Sequence, residues 1–266
     1  MTALLVLVAA VYPTSFLLQS NLNHFPGVPW SVLPGAIYLW LLWKYIGGWG
    51  PPSSTSENRL RYLRFVPVPR QARCWIWASG VSLAISIVSY SVIRLLTETG
   101  GFQQSMFMDS LQQLSVVTVF PLLAMIVLMT AFFEEAAFRG YMQFQLEQVL
   151  RPAVAIFLTA VAFAAVHFLS LGQWPLFLIG SIGWGVLTRL SGTIVPAIIM
   201  HGLVDAAFLF WMWQSPERFA ALAELNVLHT GPDGLFLTWV AIAVIGTGST
   251  IYCFFRLHNA NAARAD

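Results

Sequence analysis

The stretch QQLSVVTVFPLLAMIVLMTAFFEEAAFRGYM, residues 112–142, decides the class of fold. Its first part, 112–133, carries no charge and has the length of roughly 20 residues that a helix needs to cross a bilayer. Two carboxylates and an arginine follow directly, at Glu134, Glu135 and Arg139. Charged groups inside membrane helices are costly, so each of them is a candidate functional residue whose partner has to be found.

The rest of the chain is equally apolar. Of its 266 residues 58% are hydrophobic and 9% are charged, whereas soluble domains carry about 25% charged residues. We predict an all-α, polytopic membrane protein that forms a single membrane domain over 1–266. Its eight predicted transmembrane helices lie at 2–18, 30–49, 74–96, 112–133, 153–170, 174–190, 194–213 and 236–255. Helices 1–3 fall within 1–100, and helices 4–7 form a core within 110–215.

The basic residues predict the orientation, because cytosolic loops retain lysine and arginine. The loop 51–73 after helix 2 holds five arginines, and alternation of the helices places every lysine and arginine except Arg94 and Arg218 on the same side. Both termini are therefore expected in the cytosol, with the chain in a bacterial or archaeal cell membrane. A formal charge of +2 distributed in this way indicates topology and contact with the lipid bilayer, with no nucleic-acid partner.

Helical spacing divides the three charged residues into a pair and a single group. Glu135 and Arg139 stand four residues apart on one face of a helix and can form an ion pair. Glu134 lies about 100° around the helix from Glu135 and has no such partner. Glu134 is therefore available as a general base.

Two further groups of polar residues fall inside predicted helices. His167 lies in FAAVHF within helix 5, and His201 lies four residues before Asp205 on one face of helix 7. His167 is roughly 22 Å from the cytosolic start of its helix by helical rise. Glu134 can reach that depth only if helix 4 continues past the glutamates, and we expect it to continue towards Leu150.

At these residues the chain resembles the CAAX protease and bacteriocin-processing family of intramembrane proteases, which includes the type II CAAX prenyl endopeptidases. The family pattern is EExxxR, then FxxxH, then HxxxN or HxxxD. Here it is Glu134-Glu135 to Arg139, Phe163 to His167, and His201 to Asp205. The resemblance covers about residues 110–215.

The resemblance implies an intramembrane endopeptidase that acts on a membrane-associated peptide or protein. Glu134 and His167 would activate a water that attacks the peptide carbonyl. His201 with Asp205 would face the oxyanion. The ion pair of Glu135 with Arg139 would maintain the shape of the site, and no cofactor is implied.

Asp205 raises two alternatives, because an ionised carboxylate cannot donate a hydrogen bond to an oxyanion. Either Asp205 is protonated or it orients His201. A metal site is a further alternative, since Zn²⁺ accepts such side chains as ligands; the ligands would be Glu134, His167, His201 and Asp205. The helical HExxH signature of zinc proteases is absent from the sequence.

Two other classes of protein fit the same residues. A non-proteolytic scaffold or receptor of the same fold would function without Glu134. A proton-coupled transporter would relay protons through Glu134, His167 and Asp205. The sequence contains no paired broken helices or internal repeats of the kind that are typical of such carriers.

Overall fold

The computed structural model describes residues 2–97, 110–167 and 173–262, and within these ranges the chain is helical with no strand. Each of the eight predicted apolar runs contains a helix within its described residues. In chain order the helices are α1 Thr2–Asn23, α2 Val32–Ile46, α3 Ser56–Leu63, α4 Arg73–Leu96, α5 Val116–Glu147, α6 Pro152–Ala165, α7 Trp174–Ser191, α8 Val195–Gln214, α9 Pro216–Glu224, α10 Val227–Thr230 and α11 Gly234–Ala262. The short helices α3, α9 and α10 lie in the connections.

Five helical segments are long and apolar enough to cross a membrane: Thr2–Asn23, Arg70–Leu96, Val116–Glu147, Val195–Gln214 and Gly234–Asn261. Helices α2 and α6 are apolar but shorter. A chain with this many apolar helices is a polytopic helical membrane protein, as the composition predicted.

Two predicted boundaries can be compared with the structure. Helix α5 continues past the glutamates to Glu147, close to the expected end at Leu150. The prediction of helix 5 over 153–170 was wrong at its end, because α6 stops at Ala165. Residues 168–170 of that prediction lie outside the described residues.

Small residues let the helices approach closely. Helix α11 packs along α4, where Gly246 faces Ser86. Helix α7 packs on the same α4 through Gly183, which faces Leu83. Lipid offers no hydrophobic drive for helices to associate, so such close contacts supply much of the attraction. The stretch IGSIGWG at 179–185 is thus a packing surface of α7.

The connection between α2 and α4 is tied to the end of α5. The Arg59 side chain is buried and donates to the carbonyl oxygens of Tyr45, Gly50 and Pro52. Further along, Arg64 forms an ion pair with Glu147, and Arg189 of α7 lies 3.5 Å from the same carboxylate. Part of the basic loop is therefore built into the protein and is not simply a solvated surface.

Gly140 permits this arrangement. A Cβ atom at Gly140 would lie 3.2 Å from the carbonyl oxygens of Tyr62 and Leu63, at the end of α3. Backbone atoms yield less easily than a flexible side chain, so a larger residue at position 140 would push α3 away from α5 by a few tenths of an ångström. Close packing against α3 thus accounts for the glycine of the FRG sequence at 138–140.

Candidate active site

Four ionisable side chains face one cavity of about 350 Å³. Glu134 comes from α5, His167 from the segment after α6, and His201 and Asp205 from α8. Much of the remaining wall is apolar, and includes Leu176, Phe177, Trp184, Val204, Phe208 and Leu209. The structure therefore brings all four residues singled out from the sequence to one place, among side chains that disfavour bulk water.

Helix α5 changes its winding where it carries the glutamates. Residues Thr130–Glu134 and Ala136–Met142 are π-helical, between α-helical segments on either side. A π-turn is wider than an α-turn and occurs most often at functional sites. Glu134 faces the cavity from this segment, whereas the Glu135 side chain is completely buried.

Glu135 and Arg139 form the ion pair that their spacing predicted. Arg139 Nη1 lies 2.9 Å from Glu135 Oε1, and both side chains are fully buried. Arg139 Nη2 also donates to Ser181 Oγ at 2.9 Å, and the guanidinium lies 4.6 Å from the centre of the Phe163 ring. Two buried charges are stable together only when further partners compensate their loss of water. Ser181 and Phe163 supply part of this compensation.

Glu135 has a second contact that spacing along the sequence could not reveal. His201 Nδ1 lies 2.9 Å from Glu135 Oε1, so the histidine donates its Nδ1–H to this carboxylate. The Trp184 ring stacks on the imidazole, with centroids 6.2 Å apart. These contacts fix the ring so that Nε2 faces Asp205, with 3.6 Å between Nε2 and Oδ1.

The location of His167 differs from the prediction that it lies inside a helix. It follows α6 by two residues, in a turn. Its Nδ1 lies 2.7 Å from the carbonyl oxygen of Phe163, which can only accept, so Nδ1 carries a proton. The carbonyls of a helix's last turn have no partner within the helix, and this side chain supplies one for Phe163.

Glu134 and His167 face each other without a direct hydrogen bond. His167 Nε2 lies 3.8 Å from Glu134 Oε1, beyond the range of such a bond. Because Nδ1 of His167 holds the proton of the neutral ring, Nε2 is left as an acceptor. A water molecule that contacts both atoms would donate one proton to the carboxylate and one to the imidazole.

Sequence reasoning missed two residues of the site, Thr130 and Ser181. Thr130 Oγ1 donates to Asp205 Oδ2 at 2.7 Å, across from α5 to α8. Nothing in the sequence marks this threonine, because a threonine inside a helix usually bonds its own backbone. Ser181 lies in the packing surface of α7, and its bond to Arg139 depends on the way α5 and α7 meet.

The zinc alternative depends on how its four proposed ligands are arranged. Across 2–97, 110–167 and 173–262, no group of three or more histidine, cysteine, aspartate and glutamate side chains is arranged to hold a metal ion. No chemical step below is therefore assigned to a metal.

The fold and the site define a polytopic helical membrane protein in which acids and histidines from three segments face an apolar cavity. Residues 116–207 match the family described as type II CAAX prenyl endopeptidase Rce1-like. This segment of the chain is similar to that family, and it contains α5 to α7 and α8 as far as residue 207. The resemblance found from the three short motifs is thereby confirmed.

A curated protein of Bacillus subtilis (strain 168), named uncharacterized protein YpbD, is also similar. It is 27% identical over 142 residues, which cover 50% of this chain and 66% of the relative. The match thus spans about two thirds of that protein's length. No solved structure matches the chain.

Proposed function

We propose that this protein is an intramembrane endopeptidase that hydrolyses a peptide bond of a membrane-associated substrate. The proposal depends above all on Glu134 Oε1 and His167 Nε2, which face each other at 3.8 Å in a cavity that His201 and Asp205 also line. The match of residues 116–207 to the Rce1-like family supports the same class of reaction.

In the first step, Glu134 takes a proton from a water held between its carboxylate and His167 Nε2. The water oxygen attacks the carbonyl carbon of the substrate, and the carbonyl oxygen becomes an oxyanion. Proton transfer to a positioned carboxylate typically contributes 10²–10⁴-fold to the rate. The apolar wall strengthens these electrostatic interactions because it excludes bulk water.

In the second step, the tetrahedral intermediate collapses. The bond from carbon to nitrogen breaks, and Glu134 returns its proton to the leaving amine. Electron density moves back from the oxyanion to restore a carbonyl group, which is now part of a carboxylic acid. His201 faces the oxyanion throughout, because Glu135 and Trp184 hold its ring in a fixed orientation.

Cleavage of peptides by the purified protein tests this function. We expect the wild type to cleave members of a fluorogenic peptide panel and His167→Ala to lose most of that activity. The substitution His258→Ala is the matched control, because His258 is exposed on α11, outside the cavity lining. A zinc chelator should leave the wild-type rate unchanged, and loss of activity on chelation would establish a metalloprotease in place of this mechanism.

We also propose that the basic side of the protein faces the cytosol, with both termini there. Cys74 tests this orientation, since it is exposed and directly follows the basic loop, whereas Cys253 is buried. A membrane-impermeant maleimide should label Cys74 in inverted vesicles and leave it unlabelled in intact cells. Cys74→Ser controls for reaction at Cys253. Labelling of Cys74 in intact cells would reverse the proposed orientation.

A further inference from the structure

Thr130 connects the helix of Glu134 to the helix of His201. Its Oγ1 lies 2.7 Å from Asp205 Oδ2, whereas the carbonyl oxygens of Ile126 and Val127 each lie 3.2 Å away. A threonine hydroxyl has one proton to donate, and the shortest of the three contacts is the one with the carboxyl group. The interhelical bond is therefore the favoured one.

The other oxygen of Asp205 faces His201. Oδ1 lies 3.6 Å from Nε2, while Nδ1–H of the same ring is already donated to Glu135. Without a further proton, a lone pair of Nε2 would face the lone pairs of an ionised carboxylate, which is repulsive. A proton must therefore lie on Nε2 or on Asp205 for the two groups to attract each other.

Thr130 favours one of these two positions. A hydroxyl that donates to Oδ2 stabilises the ionised carboxylate, and bonds to a charged acceptor are stronger than bonds between neutral groups. The proton is then held by Nε2, which makes His201 a cation between Glu135 and Asp205.

We propose that Thr130 is a positioning residue that keeps Asp205 ionised and directed at His201, so that a positively charged His201 stabilises the oxyanion. Asp205 then acts through His201 and does not donate to the oxyanion itself. This choice between the two roles of Asp205 follows from Thr130, a residue outside the three motifs. Its kinetic consequence rests on the proposed protease function, while its structural consequence can be measured without a substrate.

Three substitutions separate this role from simple packing. Thr130→Val keeps the shape of the side chain and removes the hydroxyl, and Thr130→Ser keeps the hydroxyl. Thr159→Val is the matched control, because Thr159 is buried and bonds only the carbonyl of Ala155 in its own helix. If Thr130 served packing alone, Thr130→Val and Thr159→Val would have the same effect in the two measurements below.

The first readout needs no substrate. Protein labelled with ¹⁵N-histidine in nanodiscs gives ring signals that distinguish a doubly protonated imidazole from a neutral one, and His201→Gln assigns the signal of His201. We expect His201 to be doubly protonated in the wild type, Thr130→Ser and Thr159→Val, and to move towards the neutral form in Thr130→Val. A neutral His201 in the wild type, or a signal unchanged by Thr130→Val, would overturn the proposal.

The second readout is kinetic and uses the best cleaved peptide of the fluorogenic panel. Thr130→Val should lower kcat on the order of tenfold, the size expected for loss of a bond to a charged group, while KM stays constant. Thr130→Ser should remain close to the wild type. A rise in KM at constant kcat contradicts the positioning role. If the wild type cleaves no peptide but the His201 signal still moves, the protease function fails and the positioning role stands.

Discussion

Glu134→Gln is expected to abolish peptide hydrolysis while the protein stays folded. Glutamine has the size of glutamate but cannot take a proton from water, so the loss should fall on kcat by roughly 10²–10⁴-fold. Glu134 is not part of the Glu135 and Arg139 ion pair, and its carboxylate lies 3.8 Å from His167 without a direct bond. Stability should therefore change little. Initial rates on a cleaved peptide and the unfolding temperature in detergent measure the two effects.

Glu57→Gln provides the matched control, since Glu57 is exposed on α3 and does not line the cavity. It should retain the wild-type rate. Full activity in folded Glu134→Gln would rule out Glu134 as the base and favour a different catalytic group. If the wild type never cleaves a peptide, and the wild type and Glu134→Gln bind a partner protein equally well, the protein would instead be a scaffold.

Arg139→Met should give the largest loss of stability. Arg139 is fully buried, and its removal leaves Glu135 with the ion-pair partner lost and Ser181 without its bond. Removing one partner of a buried ion pair typically costs about 3–5 kcal/mol, and the loss here should lie towards the lower value because His201 still contacts Glu135. Methionine fills a similar volume, so the cavity contribution is small. Thermal unfolding of the purified protein, followed by intrinsic tryptophan fluorescence, measures the loss.

The reason for this loss can be separated from poor packing. In the double variant Glu135→Gln with Arg139→Met the buried carboxylate that lost its arginine is also removed, so part of the stability should return. Arg73→Met is the control at an exposed arginine, at the start of α4, and should behave as the wild type. A double variant less stable than Arg139→Met alone would show that Glu135 is stabilised chiefly by His201.

The sequence was sufficient to predict contacts between side chains of the same helix. The four-residue spacings of Glu135 with Arg139 and of His201 with Asp205 both correspond to contacts in the structure, at 2.9 and 3.6 Å. Such contacts follow from helical geometry alone. The continuation of α5 past the glutamates was also predicted, because only in that way could Glu134 reach the depth of His167.

Contacts between helices could not be predicted in this way. The bonds of Glu135 with His201, Thr130 with Asp205 and Arg139 with Ser181 depend on how α5, α7 and α8 cross. Hydrophobic runs predict that helices form. They do not determine the rotation of each helix about its own axis or its depth in the membrane. The end of α6 was missed for a related reason, since the residues after Ala165 are as apolar as those before it.

The hydrogen bond from His167 to the Phe163 carbonyl limits where the chain can accept insertions and deletions. Phe163 holds both His167 and, through its ring, Arg139. One residue inserted or deleted within α6 would rotate Phe163 and His167 together by about 100° and move both away from α5. Related chains that keep the site should therefore differ in length in their connecting segments, and the stretch from Pro152 to His167 should be free of insertions and deletions.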